Sequence, residues 1–203
     1  MSNTNKLITF GYKDDEVILN GIRKGRSQAF RALYDQNADR VFRLAMQLVK
    51  DEALAQNVVQ DTFIVVFNKI HGFRAESKIS TWIYKIAYNH CLNEIKKRKR
   101  QQSKIRELGE MEFEKSGSDG TLGKLYQKEQ VSLILKLVDD MSEKKKSTFT
   151  LHYIEERTAD EIAGILDEGR GTVLKRLNRI RLELMEKIGK LPVKTTRNKV
   201  GQS

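Results

Sequence analysis

The chain has 203 residues, of which 39% are hydrophobic and 32% are charged, and its formal net charge is +11. This length allows one or two small domains. A positive surplus of that size favours polyanionic partners, either nucleic acid or an anionic membrane. The single cysteine, Cys91, excludes an intrachain disulfide. Because no apolar run resembles a signal peptide or a membrane span, we expect a cytoplasmic protein.

The chain contains few residues that break helices, and Pro192 is its only proline. Apolar residues recur at three- and four-residue steps, which is the helical period, and no strand-like alternation lasts. The sequence therefore predicts an all-α fold of two small helical domains joined by a flexible linker. The predicted divisions are an N-terminal arm (1–21), a first domain (22–100), a glycine- and serine-containing linker (101–124), a second domain (125–188) and a basic tail (189–203).

Three helices are predicted in the first domain, at about Ser27–Val49, Glu52–Ile70 and Lys78–Arg98. A glycine-containing loop, 71–77, precedes the third, and Ser77 or Ser80 is a candidate N-cap. The apolar side of the third helix is expected to hold Ile79, Trp82, Ile83, Ile86, Ala87 and His90. The polar side is expected to hold Lys78, Thr81, Lys85, Tyr88 and Lys96.

This polar side has the side chains that nucleic acid requires. Ammonium groups replace phosphate counterions, and an aromatic ring stacks on an unpaired base. The helix then runs into five consecutive cations, Lys96 to Arg100. The alternative is an ordinary solvated helix face, which would carry the same types of side chain. Trp82 fits core packing better than base capture, although both roles are open.

The second domain contains a predicted helix-turn-helix. Thr158 and Glu161 have the spacing of a capping box before a short helix. A turn at 167–171 follows, and then a helix from about Thr172 to Ile188. Because basic side chains lie away from the apolar stripe of this last helix, it suits the major groove of DNA. The DNA-contacting candidates are Arg170, Thr172, Lys175, Arg176 and Arg179. The alternative is a helical hairpin with a polar outer face.

Several strings in the chain resemble the sigma-70 family of bacterial transcription factors. In the first domain they are Phe30-Arg31-Ala32-Leu33-Tyr34, Val59-Gln60-Asp61-Thr62-Phe63, Phe73-Arg74-Ala75-Glu76-Ser77 and Thr81-Trp82-Ile83-Tyr84-Lys85-Ile86-Ala87. In the second they are Asp160-Glu161-Ile162-Ala163 and Gly171-Thr172-Val173-Leu174-Lys175-Arg176-Leu177. Residues 23–100 resemble sigma region 2 and about 125–188 resemble region 4. In having no further sigma domains, the sequence resembles the extracytoplasmic-function (ECF) group of this family.

The resemblance implies a sigma factor without enzymatic activity or cofactor, which directs core RNA polymerase to promoter DNA and helps to melt it. It implies that Gln60, Asp61 and Phe63 bind the polymerase clamp. Together with the lysine- and tyrosine-bearing helix face, it predicts a −10 element reader that contains Ser77, Lys78, Trp82, Lys85, Tyr88 and Lys96. The last helix would read the −35 element. An anti-sigma factor often holds such proteins inactive.

The chain departs from the family pattern at five positions. Leu54, Gln56 and Asn57 stand where acids are usual in the clamp-binding helix. Glu168 stands where an apolar residue normally packs, and Gly169 where serine normally caps.

Three other functions would each require features of their own. An autonomous helix-turn-helix regulator would need an apolar dimerisation face in the first domain. An enzyme would need a carboxylate cluster, a phosphate-binding glycine loop or a nucleophile–base pair, and the sequence has none. A membrane-surface protein would need a hydrophobic anchor. Three scattered histidines and one cysteine predict no metal site.

Overall fold

The computed structural model describes residues 14–107 and 134–189, and their regular elements are all helical. The first unit, residues 14–107, has helices α1 (Asp15–Arg23), α2 (Ser27–Val49), α3 (Glu52–Lys69) and α4 (Ile79–Glu107), with a 3-10 turn at Ile70–Gly72. The second unit, residues 134–189, has a helical segment at 134–139. It continues with α5 (Glu143–Phe149), a π-turn at Thr150–Ile154, α6 (Ala159–Leu166) and α7 (Arg170–Gly189).

Helix α1 corrects the expectation that residues 1–21 form a loose arm. Asp14 caps α1 by accepting a hydrogen bond from the Glu16 amide. Ile18, Leu19 and Ile22 lie on one face of this helix, and all three are buried in the core of the first unit. The first domain therefore begins before residue 22. Residues 1–13 lie outside the described part of the chain.

Helices α2 and α3 begin and end close to the predicted positions. Lys50 ends α2 in the left-handed conformation, with φ of 56°, and Asp51 then caps α3 by accepting from the Leu54 amide at 3.0 Å. The side chains of Leu33, Leu44 and Val58 are at most 1% exposed where these helices meet α4. The predicted three-helix core is thus confirmed.

Helix α4 is longer than predicted and extends through Glu107. Its extension consists mainly of lysine, arginine and glutamine, which have good helix propensity, and no glycine occurs between Gly72 and Gly109. The linker predicted at 101–124 was therefore placed too early at its N-terminal end. Residues 108–124 of it, residues 125–133 of the second domain and nearly all of the basic tail lie outside the described residues.

The helix-turn-helix of the second unit forms as predicted. Glu161 donates its amide to Thr158 Oγ1 at 3.3 Å, and its carboxylate accepts from the Thr158 amide at 2.9 Å, which completes the capping box. Asp167 ends α6 in the left-handed conformation, with φ of 57°. The Gly169 carbonyl then accepts from the amides of Thr172 and Val173 and starts α7.

The two units are packed together. Leu151, Ile162 and Ile165 of the second unit belong to the same buried cluster as Ile79 and Ile83 of α4. Helix α6 lies directly against α4. A smaller core of Val138, Met141, Phe149 and Ile180 lies within the second unit. The sequence predicted two domains but not this contact between them.

The capping box generates a stability prediction. Replacing Thr158 with alanine removes a side-chain cap and should lower the free energy of unfolding by about 1 kcal/mol, measured by urea denaturation. Ser142 is the matched control because it occupies the N-cap of α5 without a side-chain cap hydrogen bond. Equal losses in Thr158→Ala and Ser142→Ala would contradict the assignment.

Candidate nucleic-acid interface

The predicted −10 residues divide into two groups. Ser77 and Lys96 are exposed and Trp82 is half-buried. Lys78, Lys85 and Tyr88 instead face the second unit: Lys78 Nζ lies 2.9 Å from Glu161 Oε1, and Lys85 Nζ lies 2.8 Å from Asp167 Oδ1. The structure thus does not gather the six residues on one open face.

Tyr88 and Thr81 were expected on the solvent side of α4, and this expectation is wrong for the folded chain. Each side chain is 5% exposed because the second unit covers it. Thr81 lies beneath Gly164 of α6, where a Cβ would meet Thr81 Cγ2 at 3.4 Å. Burial raises the pKa of the Tyr88 phenol, although a hydrogen bond with Ser147 acts in the opposite direction.

Trp82 packs against Phe73, with ring centroids 5.2 Å apart and ring planes inclined by 38°. The ring is half-buried: one part packs in the core and another part is exposed to solvent. Both roles considered from the sequence, core packing and base capture, are therefore compatible with its position. A fixed, partly exposed aromatic surface of this kind can stack with an unpaired base. Phe73 itself is buried and was not predicted to take part.

The C-terminal part of α4 carries a basic depression. It has a volume of about 330 Å³ and is lined by Asn93, Lys96, Lys97, Arg100 and Gln101. Three cations around one depression favour a phosphate-rich chain. Lys96 is the only member of this group that was named as a −10 candidate.

The predicted −35 residues lie at the start of α7. Thr172, Lys175 and Arg179 are exposed and spaced at three and four residues, so they share one side of the helix. Arg170 is exposed and forms an ion pair with Asp160, its Nε lying 3.1 Å from Oδ1. Thr172, Lys175 and Arg179 thus form one exposed side of α7, and Arg170 lies outside it at the first residue of the helix.

Arg176 is held differently from its neighbours. Its side chain is 13% exposed, and its guanidinium donates to Thr148 Oγ1 at 3.0 Å and to the carboxylate of Glu168. Lys144 contacts the same carboxylate at 2.7 Å. Burial disfavours ionisation of Glu168, but the hydrogen bonds from Lys144 and Arg176 outweigh it and keep the pKa below its ordinary value.

The position of Glu168 explains how the helix-turn-helix tolerates a carboxylate where the family packs an apolar side chain. Two cations from this unit pair with the carboxylate, so its charge is not left uncompensated. The cost is that Arg176 is turned inward in this conformation. Of the predicted −35 residues, Arg176 is the most buried, and like Arg170 it would have to change partners to reach a base.

The clamp-binding residues predicted on α3 lie beside an apolar groove between α2 and α3. The groove has a volume of about 760 Å³, and its lining is mainly aromatic and aliphatic: Phe30, Tyr34, Phe42, Val59, Phe63 and Phe67. Gln60 is at its edge, and Asp61 is exposed on the same helix. Phe63 is only 5% exposed, because it packs against Tyr34 with ring centroids 4.6 Å apart.

Two exposed groove residues were missed by the sequence prediction. Ile64 is 50% exposed and Phe67 is 61% exposed, and Phe67 meets Phe30 edge to face at 5.1 Å. Phe67 follows Phe63 by four residues, so the helical period of α3 puts both side chains on one apolar face. The groove leaves that face open, which makes these side chains better contact candidates than Phe63.

None of the helices within residues 14–107 and 134–189 combines the length and apolar character that a bilayer span requires. The same residues bring no three histidine, cysteine, aspartate or glutamate side chains together as metal ligands.

Comparison with known proteins identifies the two units. The family model for sigma-70 region 2 matches residues 33–101, and the model for sigma-70 region 4 matches residues 131–184. The chain is 27% identical over 173 residues to the ECF RNA polymerase sigma factor SigW of Bacillus subtilis, covering 82% of this chain and 92% of that relative. It is 27% identical over 181 residues to the ECF RNA polymerase sigma-E factor of Escherichia coli K12, covering 86% and 94%.

Solved structures agree on the fold. The sigma factor RpoE of Bartonella quintana, solved in complex with the anti-sigma factor NepR, aligns with a TM-score of 0.61 at 20% identity. The alignment covers 76% of this chain and 93% of that chain.

The environment of Cys91 generates a reactivity prediction. The side chain is 0% exposed, and burial raises the pKa of its thiol to about 12. The folded chain should therefore react with a thiol reagent such as DTNB at least about 100-fold more slowly than the chain in 6 M guanidinium, because the thiolate is the nucleophile. Comparable rates in the two states would show that the thiol is accessible.

Both units, in this order and with this helix-turn-helix, therefore identify the chain as a member of the sigma-70 family, in its ECF group.

Proposed function

We propose that the chain is an RNA polymerase sigma factor that binds core polymerase, recognises two promoter elements and helps to open the DNA. The observation that carries this proposal is the presence in one chain of a region 2 unit and a region 4 unit. The ECF relatives are matched over more than nine-tenths of their own length. The charge of +11 suits a partner that carries many phosphates.

In the first unit, the open DNA strand would meet the loop before α4 and the exposed part of α4. The Trp82 ring supplies a stacking surface, and the basic depression around Lys96 supplies phosphate neutralisation. Binding an unpaired strand more strongly than the duplex shifts the equilibrium toward the melted state. Promoter opening then needs no bond-breaking chemistry from this chain, and we propose that the chain acts by binding alone.

In the second unit, the N-terminal half of α7 would enter the major groove at the −35 element. Thr172, Lys175 and Arg179 already face outward. Arginine is the side chain best suited to guanine, because two of its donors reach the two acceptors on that base edge. Arg170 would have to leave Asp160, and Arg176 would have to leave Glu168, before either could contribute.

The groove between α2 and α3 is the surface we assign to the polymerase clamp. Its exposed rings provide apolar area, and Gln60 and Asp61 provide polar groups at the rim, which is the usual composition of a protein interface. Gln56 lines the groove, and Leu54 and Asn57 lie near it on the same helix, so α3 supplies fewer acids there than the family pattern, although Asp39 of α2 also lines the groove. We therefore expect apolar contact to supply more of the affinity here than charge does.

Two further consequences follow from this function. Promoter opening takes place where the chromosome lies, so the chain would act in the cytoplasm. The Bartonella relative in the matched structure is bound to an anti-sigma factor, and we propose that a partner of that kind also regulates this chain.

Reconstituted transcription tests the function. The purified chain, added to core polymerase and sheared DNA of its source genome, should produce discrete transcript start sites that core polymerase alone does not produce. Transcripts that initiate at the same positions with and without the chain would reject the proposal.

The −35 assignment predicts a sequence-dependent defect. Arg179→Ala should lower initiation about 5- to 100-fold on a promoter with an intact −35 element, since a bidentate arginine–guanine contact is worth about 1–3 kcal/mol. Loss on a promoter with a scrambled −35 element should be much smaller. Arg23→Ala is the control, because Arg23 ends α1 far along the chain from the helix-turn-helix. Equal loss on both promoters would indicate a phosphate contact only.

The groove assignment predicts a loss of polymerase binding. The double variant Ile64→Ala/Phe67→Ala should reduce co-elution with core polymerase at least about tenfold, because it truncates the exposed apolar contacts without emptying the buried core. Val17→Ala is the matched control, since Val17 is a similarly exposed apolar residue on α1. Unchanged co-elution with native helicity by circular dichroism would place the clamp contact elsewhere.

A further inference from the structure

Two buried charges hold the second unit against the first. The Glu155 side chain, 1% exposed, accepts hydrogen bonds from Tyr84 Oη at 2.6 Å and from Arg43 Nε at 3.1 Å. Arg157, 7% exposed, lies over the Tyr84 ring at 4.3 Å and donates to Ser80 Oγ at 3.1 Å. We call these five residues the interdomain cluster.

The cluster fixes one relative placement of the units. Glu155 and Arg157 belong to the second unit, and their partners Arg43, Ser80 and Tyr84 belong to the first. A buried carboxylate is costly unless it is paired, so sliding of one unit over the other would leave Glu155 without Arg43 and Tyr84. Arg157 would keep Glu161 of its own unit, at 3.8 Å, but would lose Ser80 and the Tyr84 ring. Apolar packing around Leu151 and Ile165 adds buried surface between the units. Because that interaction is non-directional, it does not fix their relative position in the same way.

The placement engages three of the side chains that the sequence predicts to read the −10 element. Lys78, 68% exposed, and Lys85, 39% exposed, are paired with Glu161 and Asp167, and Tyr88 is buried. Carboxylates of the second unit thus occupy positions at which DNA phosphates would compete. Further ion pairs, Lys50 with Asp139 and Lys99 with Glu143, lie along the same boundary.

We propose that this contact is an autoinhibitory closed state, in which the second unit occupies the −10-binding face of α4 and the interdomain cluster holds it there. This inference rests on the proposed function, because it assumes that α4 binds promoter DNA. The occupant is the chain's own helix-turn-helix unit. Binding of DNA to Lys78, Lys85 and Tyr88 then requires the units to separate.

The consequence is a reduced apparent affinity of the chain for single-stranded DNA. If the closed state outnumbers the open state about tenfold, the apparent Kd is raised about tenfold relative to that of the open state. A change that opens the units removes that factor without adding any contact to DNA. Core polymerase, by holding the two units apart, would do the same.

The first measurement is the distance between the units in the full chain. Nitroxide labels at Ala53→Cys on α3 and Met185→Cys on α7, both exposed positions, report it by pulsed dipolar spectroscopy. Cys91 can remain, because it is buried. The labelled chain should give one narrow distance distribution. Glu155→Gln in this background should shift it to longer and broader distances.

The control is Glu156→Gln. It makes the same chemical change and the same change of net charge one residue away, on an exposed side chain. It should leave the narrow distribution intact. Tyr84→Phe is the second variant: it removes only the hydroxyl that donates to Glu155, and it remains informative if circular dichroism shows that Glu155→Gln is unfolded.

The second measurement is the affinity for a fluorescein-labelled, mixed-sequence, 30-nucleotide single-stranded DNA, by anisotropy. The variant that opens the units should bind about tenfold more tightly than the parent chain, and Glu156→Gln should bind like the parent. Folded Glu155→Gln and Tyr84→Phe variants that both keep the narrow distribution would overturn the role of the cluster. Opening without tighter DNA binding would overturn the autoinhibition.

These outcomes are separate from a failure of the proposed function. Transcription assays with core polymerase test the function on the parent chain. The distance measurement needs neither polymerase nor a promoter. A parent chain that closes and opens as described, yet directs no initiation, would reject the sigma-factor proposal and keep only the conformational result.

Discussion

The contact of α4 with helices on both of its sides is the constraint on which the rest of the structure depends. One side of α4 is buried in the first unit through Ile79 and Ile83, and another side is covered by α6. This second contact determines which cations of α4 remain available. Lys96 and its neighbours in the basic depression stay exposed, whereas Lys78 and Lys85 are paired with carboxylates of the second unit.

The net charge of +11 therefore overstates how much positive surface is ready for DNA. Acidic residues of the helix-turn-helix unit compensate several cations across the boundary, and Glu168 compensates Lys144 and Arg176 within that unit. The ion pairs across the boundary are partly or largely exposed and contribute little to stability, because solvent screens them. Their lysines are consequently easy to transfer from carboxylates of the second unit to phosphates of DNA.

Much of the architecture could be predicted from the sequence because its signals are local. The helical period and the caps placed α2, α3 and the helix-turn-helix within one or two residues, and the capping box of Thr158 and Glu161 formed as expected. The arm and the linker were misplaced where good helix formers continued beyond the expected boundary. Helix α1 begins after its N-cap Asp14, within the predicted arm. Helix α4 continues beyond the basic run to Glu107, within the predicted linker.

The candidate site was harder to predict, because exposure depends on contacts between distant parts of the chain. Periodicity assigned Tyr88 to solvent, yet it is buried by a unit that begins more than forty residues later in the chain. No local pattern marks Glu155 as buried or Arg176 as turned inward; both follow from side chains supplied by other helices. Phe67 shows the opposite case. The helical period puts it on the same face as the buried Phe63, yet it is exposed because it lines the open groove.

In the free chain the cations of α4 pair with the second unit, and in the working complex they would bind promoter DNA. A cryo-EM structure of the chain with core polymerase and an open promoter distinguishes the two arrangements. We expect α6 to have left α4, Lys85 to have lost its contact with Asp167, and the groove between α2 and α3 to lie on the clamp. A complex that initiates transcription with Glu155 still bonded to Tyr84 and Arg43 would show that the units need not separate.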